Sequence, residues 1–591
     1  MYPDLRAFID DLERSGQLIR VKAEVDPNQE ITIIQHRVIA AGGPALLFER
    51  VKGSPYWLVS NLFGTSRRVA MTCGDDPLAL GERLARMVHQ LMPPSLANLW
   101  QTRRELLRLI PARMRNVSKG PVLETITEPA DLNRLPVLTC WPKDGGPFFT
   151  WPLVHTTDPL TGQGNLGVYR LQRFNQTSTG MHWQIERGGG FHFHTATQLG
   201  QPLPVTVFLG GPPALTIAAV SPLPEGMDER LMAAYLMRRP LDVIKRRQSG
   251  HRIPAMAEFV IEGSVTPGDM RWEGPFGDHF GHYSEAADYP VFRVQRVLAR
   301  KDAIYPATVV GKPVQEDYYV GEALQALTVP MLKTIKPAIR DLWAYPEAGF
   351  HGLAVMAVQE RYPREALKFT LSMLGEGHVS MTKVMMTVDP EVDVRNFRAV
   401  SAALWRYLTP EGVHLLSPTA QDTLDFTGPA MNTGSRLILL ATKGGEGEIR
   451  RDPPPMPTSV TDVHLQLREA VAIGPAFLML KVAEGVNDLE ALREALRRHE
   501  VAGQYLFHIL VSEDVDLKDP IMRLWGWFTR FDPAADIHPA KRQVRGNRLV
   551  FEFPILIDAR WKKGYPQPVE FDPAVEKRVN DSWNRYGIAL D

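Results

Sequence analysis

Cysteine is nearly absent from this chain, with Cys73 and Cys140 the only two in 591 residues. Two thiols cannot build a disulfide framework or a cysteine zinc site, which suits a reducing compartment. The chain also lacks an excess of charge of either sign. Lys+Arg and Asp+Glu both number 67, so no global field draws it to nucleic acid or an anionic membrane, although a local basic patch stays open. There is no run of about 18 apolar residues, which excludes a spanning helix. The amino terminus, MYPDLRAFIDDLERSGQLIRV, lacks the basic start and apolar stretch of a signal peptide. Cytoplasm is the expected location.

What is present is an ordinary globular composition, 44% hydrophobic and 23% charged, on a chain long enough for about two to four domains. Residues 1–115 mix helical periods with short strands: Leu5, Phe8, Ile9 and Leu12 share a helical face, and ALLFERV (Ala45 to Val51) reads as a strand. Residues 116–319 change to short apolar runs broken by Gly, Pro, Asp and Asn, the pattern of an antiparallel, barrel-like β domain. Residues 320–345 predict a connecting helix interrupted by Pro330 and Pro337. Residues 346–591 return to α/β texture, so the expected class is α/β (α+β) around a central β-barrel. The last region contains an internal echo. KVMMTVDPEVDVRNFRAVSAALWRYLTP, from Lys383, and HILVSEDVDLKDPIMRLWGWFTRFDP, from His508, each give a strand, an acidic turn and a helix with Leu-Trp. LILLATKGG (from Leu437) and ILIDARWKKG (from Ile555) follow them as related strands, which predicts two similar α/β units. EGEIRRDPPPMP (Glu446 to Pro457) between the copies reads as an exposed connector.

The segment that points to chemistry is EGPFGD, in which Glu273 and Asp278 are separated by Gly274, Pro275, Phe276 and Gly277. Only a turn brings these acids together, and two crowded carboxyl groups cannot both ionise easily, so one is expected to hold a proton as a general acid. Upstream, NLGVYRLQRF carries Asn165 and Arg170, and GMHWQIERGGGFHFH carries His182, Arg187 and three consecutive glycines. Both read as strands, with glycines that admit a flat or phosphorylated ligand close to the backbone. Asn165 and Arg170 would share a site if Gly167 supplied a bulge. An amide, an imidazole and a carboxylate form an O/N set suited to Mn²⁺ or Mg²⁺. Asn165 and His182 are two of the three; spacing leaves Glu225, Asp228 and Glu229 equally eligible as the acid. His192 and His194 would share a face at strand period, but no third metal ligand is evident nearby. GGEGE (Gly444 to Glu448) lacks the Lys-Ser/Thr of a phosphate loop and reads as a turn.

In order along the chain, DLRAFIDDLERSGQLIRV, DGGPFFTWPLVHTTDP, NLGVYR, MHW…RGG, IPAMAEFVIEG, EGPFGDHFGHYS, KVMMTVDPEVDV and VNDSWNRYGI resemble the UbiD family of decarboxylases. The resemblance implies a UbiD-like fold with a split β-barrel that binds prenylated FMN, held through a divalent metal, Mn²⁺, with K⁺ as a further ion. It implies that Asn165, His182 and Glu229 surround the metal. Val168, Tyr169, Arg170, His182, Trp183, Gln184, Arg187 and Gly188 would line the cofactor, with Lys383 at its phosphate. Arg170, Glu273 and Asp278 would form an acid–arginine–acid network with Asp278 as proton donor. Two departures stand out: His182 lies where some quinone-pathway members have Arg, and the carboxy-terminal region is lengthened by much of the second copy.

The reading that follows is non-oxidative decarboxylation of an aromatic acid, hydroxybenzoate- or naphthoate-like, in ubiquinone or menaquinone biosynthesis. The alternatives are a reversible (de)carboxylase of aromatic catabolism and a non-catalytic flavin or metal-binding relative. A flavin prenyltransferase would supply the cofactor, and the chain would assemble as a homo-oligomer through its carboxy-terminal region. It would lie peripheral to a membrane if its substrate were prenylated.

Overall fold

The computed structural model describes the chain except residues 185–186, 225, 445–449, 451, 456–462, 465, 484, 486–487 and 591. Glu225, most of GGEGE and much of the expected connector fall outside the described residues. Two compact units emerge, Met1–Thr328 with Gln567–Asp591, and Val329–Pro566.

The first unit begins with helix Leu5–Arg14, capped by Asp4 accepting the Ala7 N–H, and buries Leu5, Phe8, Ile9 and Leu12 as the period predicts. ALLFERV is the strand Ala45–Val51, lying between Leu18–Val25 and Trp57–Ser60 in a four-stranded sheet. The fourth strand, Ile304–Pro306, comes from beyond the β domain. Residues 1–115 and 116–319 therefore share one compact unit. The β domain is a curled nine-stranded sheet in which every neighbouring pair is antiparallel. Its longest strands, Phe259–Glu273 and Ala287–Ala299, pair with each other. Their turn carries the acid pair.

The carboxy-terminal tail also belongs here, against the expectation that it ends the second domain. Tyr283 N–H donates to the Gln567 carbonyl and Val569 N–H to that of Gly281, while Arg585 and Tyr586 both donate to Glu30. The tail thus braces the segment just after Asp278.

Helix Glu316–Ile335 contains Pro330 and ends before Pro337. Pro337 is therefore no kink: the chain beyond it forms strand Ile339–Ala344. The second unit holds two five-stranded sheets of one topology. In the first, the order is Ile339–Ala344, Leu353–Val358, Val384–Val388, Thr433–Ala441, Val413–Ala420; in the second it is Leu467–Ile473, Phe477–Val482, Phe507–Val511, Arg548–Ala559, Ile537–Arg545. Each runs antiparallel, parallel, parallel, antiparallel. The echo read from the sequence is a structural duplication.

The copies pack reciprocally within this unit. Helix Phe397–Tyr407 of the first copy lies on the opening hairpin of the second, where Ser401 Oγ accepts the Ala476 N–H at 3.1 Å and Phe397 stacks on Phe477. Helix Pro520–Phe528 of the second copy lies on the opening hairpin of the first, at Pro346–Ala348 and Gly352. One apolar core draws Trp343, Val400 and Leu404 from one copy and Phe507, Trp525 and Phe531 from the other. Each large side chain buried there contributes about 1.5–3 kcal/mol.

Candidate active site

Arg170 is the centre of the site. Strand Gly164–Val168 keeps a regular register with Leu153–Thr157, so no bulge forms at Gly167, contrary to expectation. The strand instead ends at Val168, and the break at Tyr169–Arg170 turns Arg170 into the fold. Gly167 is needed because a Cβ there would stand 2.7 Å from the Tyr169 ring. Arg170 donates from Nη1 to Asp278 Oδ2 at 2.5 Å, from Nη2 to Ser284 Oγ at 2.9 Å and from Nε to Glu273 Oε1 at 3.5 Å. Its guanidinium also lies 5.0 Å from the centre of the Phe276 ring.

The turn between the acids is clamped at both glycines. Gly274 N–H donates to Gln172 Oε1 at 2.7 Å, and Gly277 N–H donates to Asp144 Oδ1 at 2.8 Å. Asp144 Oδ2 also accepts from Cys140 and Trp141 N–H, and Gly145 N–H donates to the Pro275 carbonyl. Gly274 adopts φ +96°, which favours glycine. A Cβ at Gly277 would meet Trp141 at 2.2 Å, so this glycine serves packing and does not relieve the carboxylates. The glycine that does is Gly180, where a Cβ would stand 2.0 Å from Glu273 Oε2.

The electrostatics correct the sequence expectation. The acids meet through Arg170, and Asp278 does not hold a proton at rest. Burial pushes its carboxyl up, but the hydrogen bond from His279 and the charge of Arg170 overcome this and hold it far below the usual carboxylate range. His279 contributes both its backbone N–H at 2.8 Å and its ring Nδ1 at 3.0 Å, to Asp278 Oδ1. Glu273, fully buried, accepts from His182 Nδ1 at 3.0 Å. Burial, then the Arg170 charge, lowers the His182 pKa and keeps the ring neutral. With Nδ1–H given to Glu273, His182 Nε2 carries a lone pair, the tautomer a metal ligand needs.

The residues expected at the cofactor fit such a group. Among the described residues, His182 Nε2, Trp183 Nε1 and Glu273 Oε2 are buried without a hydrogen-bond partner. A Cβ at Gly188 would stand 2.1 Å from Asn165 Oδ1, so the glycine leaves that amide its place. Glu229 Oε2 accepts the N–H of Leu166, next to Asn165, at 2.8 Å, and burial raises its pKa to about 7. Asp228 is occupied as the cap of helix Glu229–Met237 and in an ion pair with Arg230, which separates two of the three acids that spacing left equal. Among the described residues, no three or more His, Cys, Asp or Glu gather around a metal position, and the Asn165 amide would supply a further ligand.

Gly188, Gly189 and Gly190 do not lie on a strand: with Arg187 at the cap they open helix Gly188–Gln198. A glycine-rich helix start turns its N–H groups and dipole toward an anion. One of them, Gly189 N–H, donates to the Tyr169 hydroxyl at 3.0 Å, and the Tyr169 ring meets Trp183 edge-on. Val168 and Gln184 flank this start, both half-buried. On a helix His192 and His194 point apart: His192 is buried and bonds Thr156, whereas His194 is exposed. They form no chelating pair. Lys383 lies in the second unit, fully buried, with its ammonium 2.8 Å from Asp425 and 5.2 Å from the centre of the Phe531 ring. The position matching it in the second copy is Leu506.

Sequence reasoning missed Asp144, Gln172, His279 and Ser284 as parts of the site. All four stand inside the quoted DGGPF, NLGVYRLQRF and EGPFGDHFGHYS segments, but the contacts of Asp144, Gln172 and Ser284 reach far along the chain and have no spacing signature, and that of His279 depends on its ring folding back onto its neighbour Asp278.

Comparison with known proteins matches three domain models of one family, UbiD, 3-octaprenyl-4-hydroxybenzoate carboxy-lyase: the N-terminal domain at residues 9–88, the Rift-related domain at 114–313 and the C-terminal domain at 318–441. An uncharacterized protein of Chlamydia trachomatis is 40% identical over 590 residues, covering 98% of this chain and 99% of that protein. A protein of Chlamydia pneumoniae, named as one of the subunits of a 4-hydroxybenzoate decarboxylase, is 39% identical over 583 residues, 98% of each. Among solved structures, vanillic acid decarboxylase of Sedimentibacter hydroxybenzoicus in its closed form is 26% identical with a TM-score of 0.67, covering 78% of this chain and 97% of its own. The UbiD-class enzyme HmfF of Pelotomaculum thermopropionicum, in an evolved dimeric form in complex with prenylated FMN, is 26% identical with a TM-score of 0.62, covering 77% and 97%. The C-terminal domain model ends with the last residue of strand Thr433–Ala441 of the first copy. The chlamydial alignments run through the second.

Proposed function

We propose, from the premise that the chain belongs to the UbiD carboxy-lyase family, that it is a prenylated-FMN enzyme releasing CO₂ from a hydroxybenzoate- or naphthoate-like acid in quinone biosynthesis. The observation that carries this reading is Arg170 held between Glu273 and Asp278, with Ser284 on its remaining nitrogen. Val168, Tyr169, Trp183, Gln184, Arg187 and Gly188 would hold the flavin, whose phosphate suits the glycine start of helix Gly188–Gln198. Asn165, His182 and Glu229 would hold Mn²⁺. A flavin prenyltransferase would supply the cofactor.

When bound, prenylated FMN supplies the electron sink for the pair released as the carbon–carboxylate bond breaks. Arg170 offers a planar guanidinium matched to a substrate carboxylate. A substrate carboxylate that takes Nη1 draws Arg170 away from Asp278 and weakens one of the interactions that keep Asp278 ionised. Protonation of Asp278 is therefore coupled to substrate binding. After CO₂ leaves, Asp278 gives that proton to the vacated carbon. Glu273 keeps His182 in one tautomer and anchors Arg170 through Nε, so the guanidinium pivots without leaving the site.

The chain co-expressed with a flavin prenyltransferase should carry prenylated FMN and Mn²⁺ and release CO₂ from 4-hydroxybenzoate or a hydroxynaphthoate. A folded, cofactor-loaded chain inert toward both acids would count against the substrate class.

A further inference from the structure

The resting carboxylate of Asp278 raises a question that the acid role leaves open: where the proton is stored before it is delivered. Asp278 is only 8% exposed, and both of its oxygens are engaged, Oδ2 by Arg170 and Oδ1 by His279. Arg170 gives up no proton at any working pH. His279 is the other group in direct contact. Its ring Nδ1 lies 3.0 Å from Asp278 Oδ1, and its side chain is 25% exposed against 12% for that of Asp278. One edge of the ring thus faces the buried acid while the side chain reaches solvent.

We propose that His279 is the proton relay of this site, passing a proton from solvent to Asp278. The backbone N–H of His279 donates to the same Oδ1 and fixes the carboxylate against the ring, so the transfer path needs no rotation of Asp278. In the step, the ring takes a proton from water at Nε2 and releases its Nδ1 proton to Asp278 Oδ1. The N–H bond at Nδ1 breaks as the O–H bond forms, and the ring stays neutral. Asp278 then loses that proton to the carbon from which CO₂ has departed and returns to the carboxylate. The ring regains its Nδ1–H tautomer by turning its Nδ1 edge out to water, exchanging the Nε2 proton for one at Nδ1, and turning back onto Asp278. Charged groups along this path include Arg170, which holds the other oxygen of Asp278, and Asp317, at the start of helix Glu316–Ile335, whose charge acts on His279. Neither can replace the ring, because neither contacts Asp278 Oδ1.

The inference rests on Asp278 being the donor, and the test separates the two. His279→Asn keeps a side-chain N–H able to hydrogen-bond Asp278 but cannot relay a proton; His279→Ala leaves space for added imidazole. In the cofactor-loaded enzyme, both variants should lower kcat by about 10²-fold, the range of a positioned acid–base group, with KM changed less than about threefold. Imidazole should restore turnover to His279→Ala and not to His279→Asn. A His279→Asn enzyme at the wild-type rate beside an inactive Asp278→Asn would overturn the relay alone. Wild-type turnover by Asp278→Asn would overturn the donor role and the relay with it. A loss in both His279 variants that imidazole leaves unchanged, or that falls on KM, would assign His279 a structural role and overturn the relay.

Discussion

Gly180→Ala isolates the contact that seats Glu273. Gly180 lies in strand Ser178–Gly180 opposite Val291, and its φ is not in the left-handed region, so alanine costs nothing in the backbone. The added Cβ would stand 2.0 Å from Glu273 Oε2, 2.9 Å from Cδ and 3.2 Å from Cγ. Real Cβ contacts do not fall below 3.0 Å, so the carboxylate must retreat by at least 3.0 − 2.0 = 1.0 Å. Its bond to Arg170 Nε is already 3.5 Å and that to His182 is 3.0 Å. A retreat of this size breaks the first and stretches the second. Overpacking of this kind costs about 1–3 kcal/mol, and displacing a positioning group by about 1 Å costs on the order of 10²-fold in rate. Thermal unfolding and kcat/KM for CO₂ release should both fall, with Gly375→Ala, whose nearest neighbour is 3.6 Å away, as the control. A Gly180→Ala enzyme with the control's stability and the wild-type kcat/KM would refute the reasoning.

Burial raises the Asp144 pKa from 3.8 to about 7 against the pull of three backbone N–H donors. A raised carboxyl pKa stabilises the fold below about pH 4, and that contribution is lost as pH rises through about 7. The unfolding free energy of wild type minus that of Asp144→Asn should therefore decline from pH 4 to pH 8, by about 1–2 kcal/mol for a group still partly exposed; a flat difference in chemical denaturation would contradict it. Phe397→Ala removes a ring stacked on Phe477 and edge-on to Trp527 and Phe528. It should cost about 3–5 kcal/mol in the second unit, and an unchanged Tm would show that the copies do not depend on this contact. Lys383→Met leaves Asp425 buried without its partner and should destabilise by about 3–5 kcal/mol, largely recovered in Lys383→Met/Asp425→Leu. Equal stability of the single and double variants would refute the pairing.

The elements legible in the sequence were those set by local pattern. The amino-terminal helix follows from Leu5, Phe8, Ile9 and Leu12 at helical spacing, and the antiparallel character of the β domain from its short apolar runs. The duplication shows because strand, acidic turn and Leu-Trp helix recur in order, with Val384 and Phe507 opening corresponding strands. The acids and the arginine were legible as residue types in a turn and beside a strand. Their charge state was not, because it depends on Arg170 approaching Asp278 in three dimensions and on the ring of the neighbouring His279 folding back onto the carboxylate. His192 and His194 misled because a glycine run followed by alternating aromatic residues fits a strand, while packing against Thr156 selects a helix that buries only His192. The Gly167 bulge failed for a related reason: the ring of Tyr169 needs the space of a Cβ there. The carboxy-terminal tail joined the first unit through backbone pairing with residues 281–283, a contact no local pattern announces.

The most direct measurement is decarboxylation in D₂O by the cofactor-loaded chain, wild type and Asp278→Asn, following CO₂ and the isotope in the aromatic product. The account predicts that wild type releases one CO₂ per product molecule carrying deuterium at the vacated carbon, and that Asp278→Asn binds the same cofactor without turning over. A wild-type chain loaded with prenylated FMN that releases no CO₂ from hydroxybenzoate or naphthoate acids, or an Asp278→Asn variant that forms deuterated product at the wild-type rate, would contradict it.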